Sequence, residues 1–107
     1  MRGRIRFQDR DDQTAPGPVT GVSAVRDGGS VILRWTNPVA ADLAGVIVRW
    51  YPGPIAPGAP DVGKAVHFGT GGTVRFAAPI ARPVAVSIWT YDRAGNVGGR
   101  HELLVEP

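Results

Sequence analysis

Hydrophobic and β-branched residues recur along this chain with a period of two, in short runs separated by glycine and proline. From Ser30 to Thr36, Val31, Leu33 and Trp35 fall on one face, and Ile32, Arg34 and Thr36 on the other. From Val46 to Tyr51 the pattern repeats, with Val46, Val48 and Trp50 set against Ile47, Arg49 and Tyr51. Val84 to Tyr91 is the clearest run, placing Val84, Val86, Ile88 and Thr90 together. Successive side chains of a strand point to opposite faces, so each apolar set predicts a half-buried strand. Pro18 to Val25 offers Val19, Val22 and Ala24 as inward positions, interrupted by Gly21. Lys64 to Phe68 and Thr73 to Ala77 read as two short strands around the turn Gly69-Thr70-Gly71-Gly72, and Leu103 to Val105 as the last strand.

The breaks between these runs have their own chemistry. Asp27-Gly28-Gly29 is a hairpin turn signal. Asn37-Pro38 ends the second strand, because proline has no N–H to give to a ladder. Residues 52–63 carry Pro52, Pro54, Pro57 and Pro60 and predict an extended, partly rigid surface excursion. No window sustains helical periodicity. Val39 to Ala44 is the nearest candidate, but it is short and confined between Pro38 and Gly45, so it reads as a loop with one turn. The result is about seven strands at short spacing, which predicts an all-β fold: a seven-stranded antiparallel sandwich of immunoglobulin-like type. Met1 to Gln13 differs in character, being highly charged with one brief apolar alternation at Ile5 and Phe7. It reads as a linker or the tail of a preceding segment, leaving one domain over residues 14–107.

Four pieces of the chain resemble fibronectin type III domains of the kind found in bacterial proteins. Pro16-Gly17-Pro18-Val19-Thr20-Gly21-Val22-Ser23-Ala24 looks like the opening strand. Ser30-Val31-Ile32-Leu33-Arg34-Trp35-Thr36-Asn37-Pro38 is similar to the second, whose tryptophan packs in the core. Asp42-Leu43-Ala44-Gly45-Val46-Ile47-Val48 resembles the entry to the third. Trp89-Thr90-Tyr91-Asp92-Arg93-Ala94-Gly95-Asn96-Val97 resembles the close of the sixth and its turn. The resemblance departs at one corner. Where the family has a tyrosine before the sixth strand, this chain has Val84, within Ala78-Pro79-Ile80-Ala81-Arg82-Pro83-Val84. The corner must be held otherwise, and Pro83 is the candidate for fixing its backbone.

The resemblance implies that the third and sixth strands pair in one sheet. Ile47, Arg49 and Tyr51 then lie beside Ser87, Trp89 and Tyr91 on the face opposite the core, which makes these six the candidate binding face. A tryptophan and two tyrosines exposed on one sheet face are unusual for a free monomer. Such a face is expected to be covered by residues 52–63 or 1–13, to meet a protein or neighbouring domain, or to stack on sugar rings.

Catalytic and metal chemistry find no constellation. His67 and His101 read as strand-surface residues without metal-ligand spacing. Ser23, Ser30 and Ser87 have no elbow motif, and Glu102 and Glu106 make no paired-carboxylate site. Asp9, Asp11 and Asp12 lack the glycine and distal glutamate of a calcium loop. The glycine run at 69–72 precedes a strand, whereas a phosphate loop opens a helix. Asp92 to Asn96 is turn chemistry, and no Arg-Gly-Asp tripeptide is present. The expectation is a non-enzyme with no cofactor and no metal.

Composition changes little after that. In 107 residues one core suffices, and the absence of cysteine excludes disulfide support and thiolate chemistry. Net charge is +3; Arg2, Arg4, Arg6 and Arg10 in the first segment are partly balanced by Asp9, Asp11 and Asp12, and the remaining arginines are scattered singly, so nucleic acid is not an expected partner. No stretch is long and apolar enough for membrane insertion. Met1 to Phe7 is basic without an apolar signal core, so the chain reads as a piece of a longer precursor. The leading expectation is a spacer or interaction module of a larger exported bacterial protein, at the cell surface or outside the cell, contacting neighbouring domains or a protein partner. The alternative is a carbohydrate-binding accessory module of a polysaccharide-degrading enzyme.

Overall fold

The computed structural model describes residues 15–107; the linker assigned to residues 1–13 lies outside them. Seven strands follow in order: β1 (Thr20–Asp27), β2 (Ser30–Thr36), β3 (Leu43–Pro52), β4 (Lys64–Gly69), β5 (Thr73–Ala77), β6 (Val84–Asp92) and β7 (Val97–Val105). They form a three-stranded sheet β1-β2-β5 and a four-stranded sheet β4-β3-β6-β7, every pairing antiparallel. The expected seven-stranded sandwich is the observed fold. β4 and β5, adjacent in sequence, lie in different sheets, so the glycine-rich turn between them is a crossover from one layer to the other.

The apolar alternation builds the core directly. Val31, Leu33 and Trp35 of β2 face Val46, Val48 and Trp50 of β3 and Val84, Val86 and Ile88 of β6 in one buried cluster. Phe76, Val19 and Val105 complete it, with Val22, Ala24 and Val74 packed at its edge. Trp50 and Phe76 meet across the layers at 5.2 Å between ring centroids. Trp35 is 6% exposed, and its indole N–H donates to Asn37 Oδ1 at 2.8 Å, so the ring is buried while its polar edge is satisfied.

The last strand is longer than its apolar residues indicate, beginning at Val97. Its start contains a β-bulge opposite Trp89, between the pairs Ile88–His101 and Thr90–Gly98. Gly99 there has φ +63°, and a Cβ on it would fall 2.5 Å from Pro18 N. A side chain at Gly99 would thus collide with the segment entering β1, and only glycine adopts that backbone cheaply. Buried Thr90 closes the junction, its hydroxyl 2.9 Å from Gly98 O and 3.0 Å from Gly17 O. The incoming segment therefore meets the sandwich at the beginning of β7, and the chain leaves beyond Val105 at the other end of the same strand.

Candidate functional site

Register places the six candidate residues on one surface. Across β3 and β6 the opposing pairs are Gly45–Tyr91, Ile47–Trp89, Arg49–Ser87 and Tyr51–Ala85, and all point away from the core set. β7 extends three rows, with Glu102 beside Ser87, Leu104 beside Ala85 and Val97 beside Tyr91.

Exposure of that surface is uneven: the six residues do not form an open face, and of the covers expected from sequence it is residues 52–63 that lie over it. Ser87 is fully buried and Trp89 is only 5% exposed. Ile47, Arg49 and Tyr91 are half-buried, and Tyr51, at 39%, is the exposed member of the six. The cause is the proline-rich 52–63 segment, which lies back against the sheet as a strap. Ser87 Oγ donates to Pro57 O at 2.6 Å. Arg100 Nη2 donates to the same oxygen at 2.9 Å. Arg49 holds the far limb of the strap, with Nε donating to Pro60 O at 2.6 Å and Nη1 to Gly63 O at 3.0 Å. Pro57 is fully buried beneath these contacts. The Arg100 guanidinium also lies 5.9 Å from the Trp89 ring centroid, so a cation occupies ground that a sugar ring would need.

Two residues of this arrangement escaped the sequence reading. Pro57 looked like one of several loop prolines. Arg100 follows Gly98 and Gly99 in the bulge, where period-two parity is broken, so nothing in the local pattern aims it at Trp89. The available signal was composition: four prolines in twelve residues stiffen the strap and lower the entropy lost on docking it.

Beside the first limb of the strap, Tyr51, Ile55 and Leu104 remain exposed around an open groove of about 220 Å³ lined by Pro54, Ala56, Ala85, Glu102, Leu103 and Leu104. At the other side of the face Phe68 is 57% exposed, with the Arg49 guanidinium 5.5 Å from its ring centroid. Two titratable groups, His67 and Asp92, are engaged in structure. His67 stacks edge-on against Trp35 at 5.3 Å. Asp92 Oδ1 accepts the backbone N–H groups of Ala94 and Asn96, and its Oδ2 accepts the Asn96 side-chain amide. These bonds, the Asn96 side chain first, hold the Asp92 carboxyl below its ordinary value against an opposing push from burial. Among the described residues no three His, Asp or Glu side chains gather at one point.

No family model matches the sequence, and no curated protein matches it. Solved structures do match. A spore cortex lytic enzyme of Clostridium perfringens, SleM, superposes with a TM-score of 0.70 at 22% identity, over 91% of this chain and 30% of that one. The FN1–FN3 domains of chicken CNTN1 superpose at 0.65 with 13% identity, over 89% of this chain and 34% of theirs. The fold is that of a fibronectin type III, immunoglobulin-like sandwich. A three-domain stretch of titin adds a TM-score of 0.58 at 16% identity, over 87% of this chain and 34% of that one. The fibronectin type III-like chain thus spans about a third of the length of each of these three structures.

The corner that lacks the tyrosine is also accounted for. Pro83 takes part through its carbonyl, which accepts Gly53 N–H at 2.8 Å. The additional tie, unforeseen from sequence, is Arg26 of β1, which donates to Pro79 O at 2.7 Å and to Arg82 O at 2.6 Å.

Proposed function

We propose that this chain is a non-catalytic spacer and interaction module of a larger exported bacterial protein. One observation carries the reading: the chain enters the sandwich at the start of β7, against Gly98 and Gly99, and leaves beyond its end at Val105. Eight residue steps of a strand separate those points by about 25 Å. A module wired in this way sits in series between its neighbours and holds them apart. That the fold makes up about a third of each of these three longer chains supports the same reading. The exposed residues around the groove, Tyr51, Ile55 and Leu104, are the contact surface it offers to a neighbouring domain or protein partner.

The glycan-binding reading stands second, favoured by the occurrence of this fold within a spore cortex lytic enzyme. Against it stands the burial of Trp89 under Arg100, which leaves Tyr51 and Phe68 as the exposed aromatics of the face. Co-sedimentation with insoluble polysaccharides and bacterial cell walls separates the two. The spacer reading expects the chain to stay in the supernatant. Pelleting that a Tyr51→Ala variant abolishes would replace it with glycan recognition.

A further inference from the structure

Arg26 sits on the wrong face for an ordinary surface arginine. It is paired with fully buried Val31, as Ala24 is paired with fully buried Leu33, so it continues the inward set of β1. Here, at the end of the sandwich, its side chain runs out between the sheets and ends among three backbone carbonyls. Two belong to the β5–β6 corner: Pro79 O at 2.7 Å from Nη1 and Arg82 O at 2.6 Å from Nη2. The third is Glu106 O, 3.2 Å from Nε, just past the end of β7. The corner is poor in donors of its own, because Pro79 and Pro83 have no N–H. A guanidinium presents five donors in a fixed plane and keeps its charge throughout the physiological range, so one side chain can serve all three acceptors at once.

We infer that Arg26 is a latch joining the β5–β6 corner to the point where the chain leaves the module, and that it sets the direction of that exit. The corner and the residues after β7 are distant in sequence, and Arg26 binds both. With the latch closed, the exit is anchored to β1 and to the corner. A following segment then starts from a defined direction. With it open, Glu106 and Pro107 are held only through Val105. The consequence for positioning a neighbour rests on the spacer reading; the latch itself does not.

Backbone 15N relaxation of the whole chain tests it, with Arg26→Ala and Arg26→Lys. In the native chain, order parameters at Ala81, Arg82 and Glu106 are expected near the rigid value of about 0.85. In Arg26→Ala both segments are expected to fall together toward about 0.6 or below, while Val46–Val48 and Val86–Ile88 keep their values. Arg26→Lys retains the charge on a single nitrogen and is expected to hold one segment and release the other. It supplies the test if the alanine variant does not fold. Corner and exit both staying rigid in either variant, or only one loosening in Arg26→Ala, would overturn the latch. The result is independent of whether the chain pellets with polysaccharide, so this proposal and the spacer reading fail separately.

Discussion

Ser87 Oγ donates a 2.6 Å hydrogen bond to the carbonyl oxygen of Pro57, thirty residues earlier in the chain. That bond turns a sheet face into an interface between the sheet and its own loop. Arg100 supplies a second donor to the same oxygen at 2.9 Å. With either donor removed alone, the buried carbonyl keeps a partner, so Ser87→Ala and Arg100→Ala are each expected to cost about 1 kcal/mol. With both removed, the carbonyl is orphaned, and the double variant should lose about 1–3 kcal/mol beyond the sum. Urea unfolding of the four proteins in a double-mutant cycle measures this. Strict additivity would show that the two donors do not share one acceptor in solution.

Trp35 is one of two tryptophans in the core cluster, and both of its aspects can be tested. Its ring is 6% exposed within the main cluster, so Trp35→Ala should destabilise by about 3–5 kcal/mol. Its indole N–H bonds Asn37 Oδ1, and Asn37 Nδ2 in turn donates to Thr70 O at 2.8 Å, tying the end of β2 to the β4–β5 crossover. Trp35→Phe keeps most of the apolar area and loses the donor, so it should cost less than the alanine variant and loosen the crossover. Equilibrium unfolding gives the first quantity and amide exchange around Thr70 the second.

These two regions also show which parts of the molecule were legible beforehand. The inward residues of β2, β3 and β6 could be read because alternation reports directly which side chains leave water, and the six candidate residues do share the opposite face. Three features were hidden because they depend on contacts distant in sequence. The first half of β7 was concealed by Gly98 and Gly99, which are small because Ala15 to Pro18 press against them. Trp89 was placed on the outward face with cover by residues 52–63 as one expected outcome, and its burial depends on where the strap folds and where a bulge aims Arg100. Arg26 looked like a scattered surface charge, and its inward parity matters only because the sandwich ends beside it. Periodicity reports the face a residue takes; it does not report what is later laid across that face.

Tyr91 lies across Gly45, its cross-strand partner. A Cβ added at Gly45 would fall 2.7 Å from the Tyr91 hydroxyl oxygen and 3.0 Å from the backbone carbon of Gly69. The tyrosine has room to swing away, but the Gly69 backbone does not. Gly45→Ala is therefore expected to cost about 1–3 kcal/mol through overpacking. Combining it with Tyr91→Ala should recover only part of the loss, because the contact with Gly69 persists. Gly58→Ala is the control: nothing lies within 4 Å of its Cβ position, and its effect should stay within about 0.5 kcal/mol. Thermal unfolding of the set decides the matter, and a neutral Gly45→Ala would show that the Gly69 backbone does not confine this position.

The turn after β6 gives the module a predictable acid sensitivity. Asp92 is almost fully buried, and its charged form accepts three hydrogen bonds from Ala94 and Asn96. The Asn96 amide and the turn N–H groups hold its folded-state value below the ordinary 3.8. The sign follows from linkage. A carboxyl that is more acidic in the folded state contributes its full stability above the unfolded value, and that contribution is lost as pH falls through the lower, folded value. Between neutrality and about pH 5 the contribution from Asp92 should therefore be flat, with the decline confined below about pH 4. Asp92→Asn removes the titration while leaving an oxygen able to accept one or two of the bonds. It should be less stable than the native chain at neutral pH, and the gap should narrow as the acid range is entered. Melting temperatures of both proteins measured from pH 7 to pH 2.5 test this. A constant gap across that range would show that the Asp92 charge adds nothing to the turn beyond what a neutral acceptor provides.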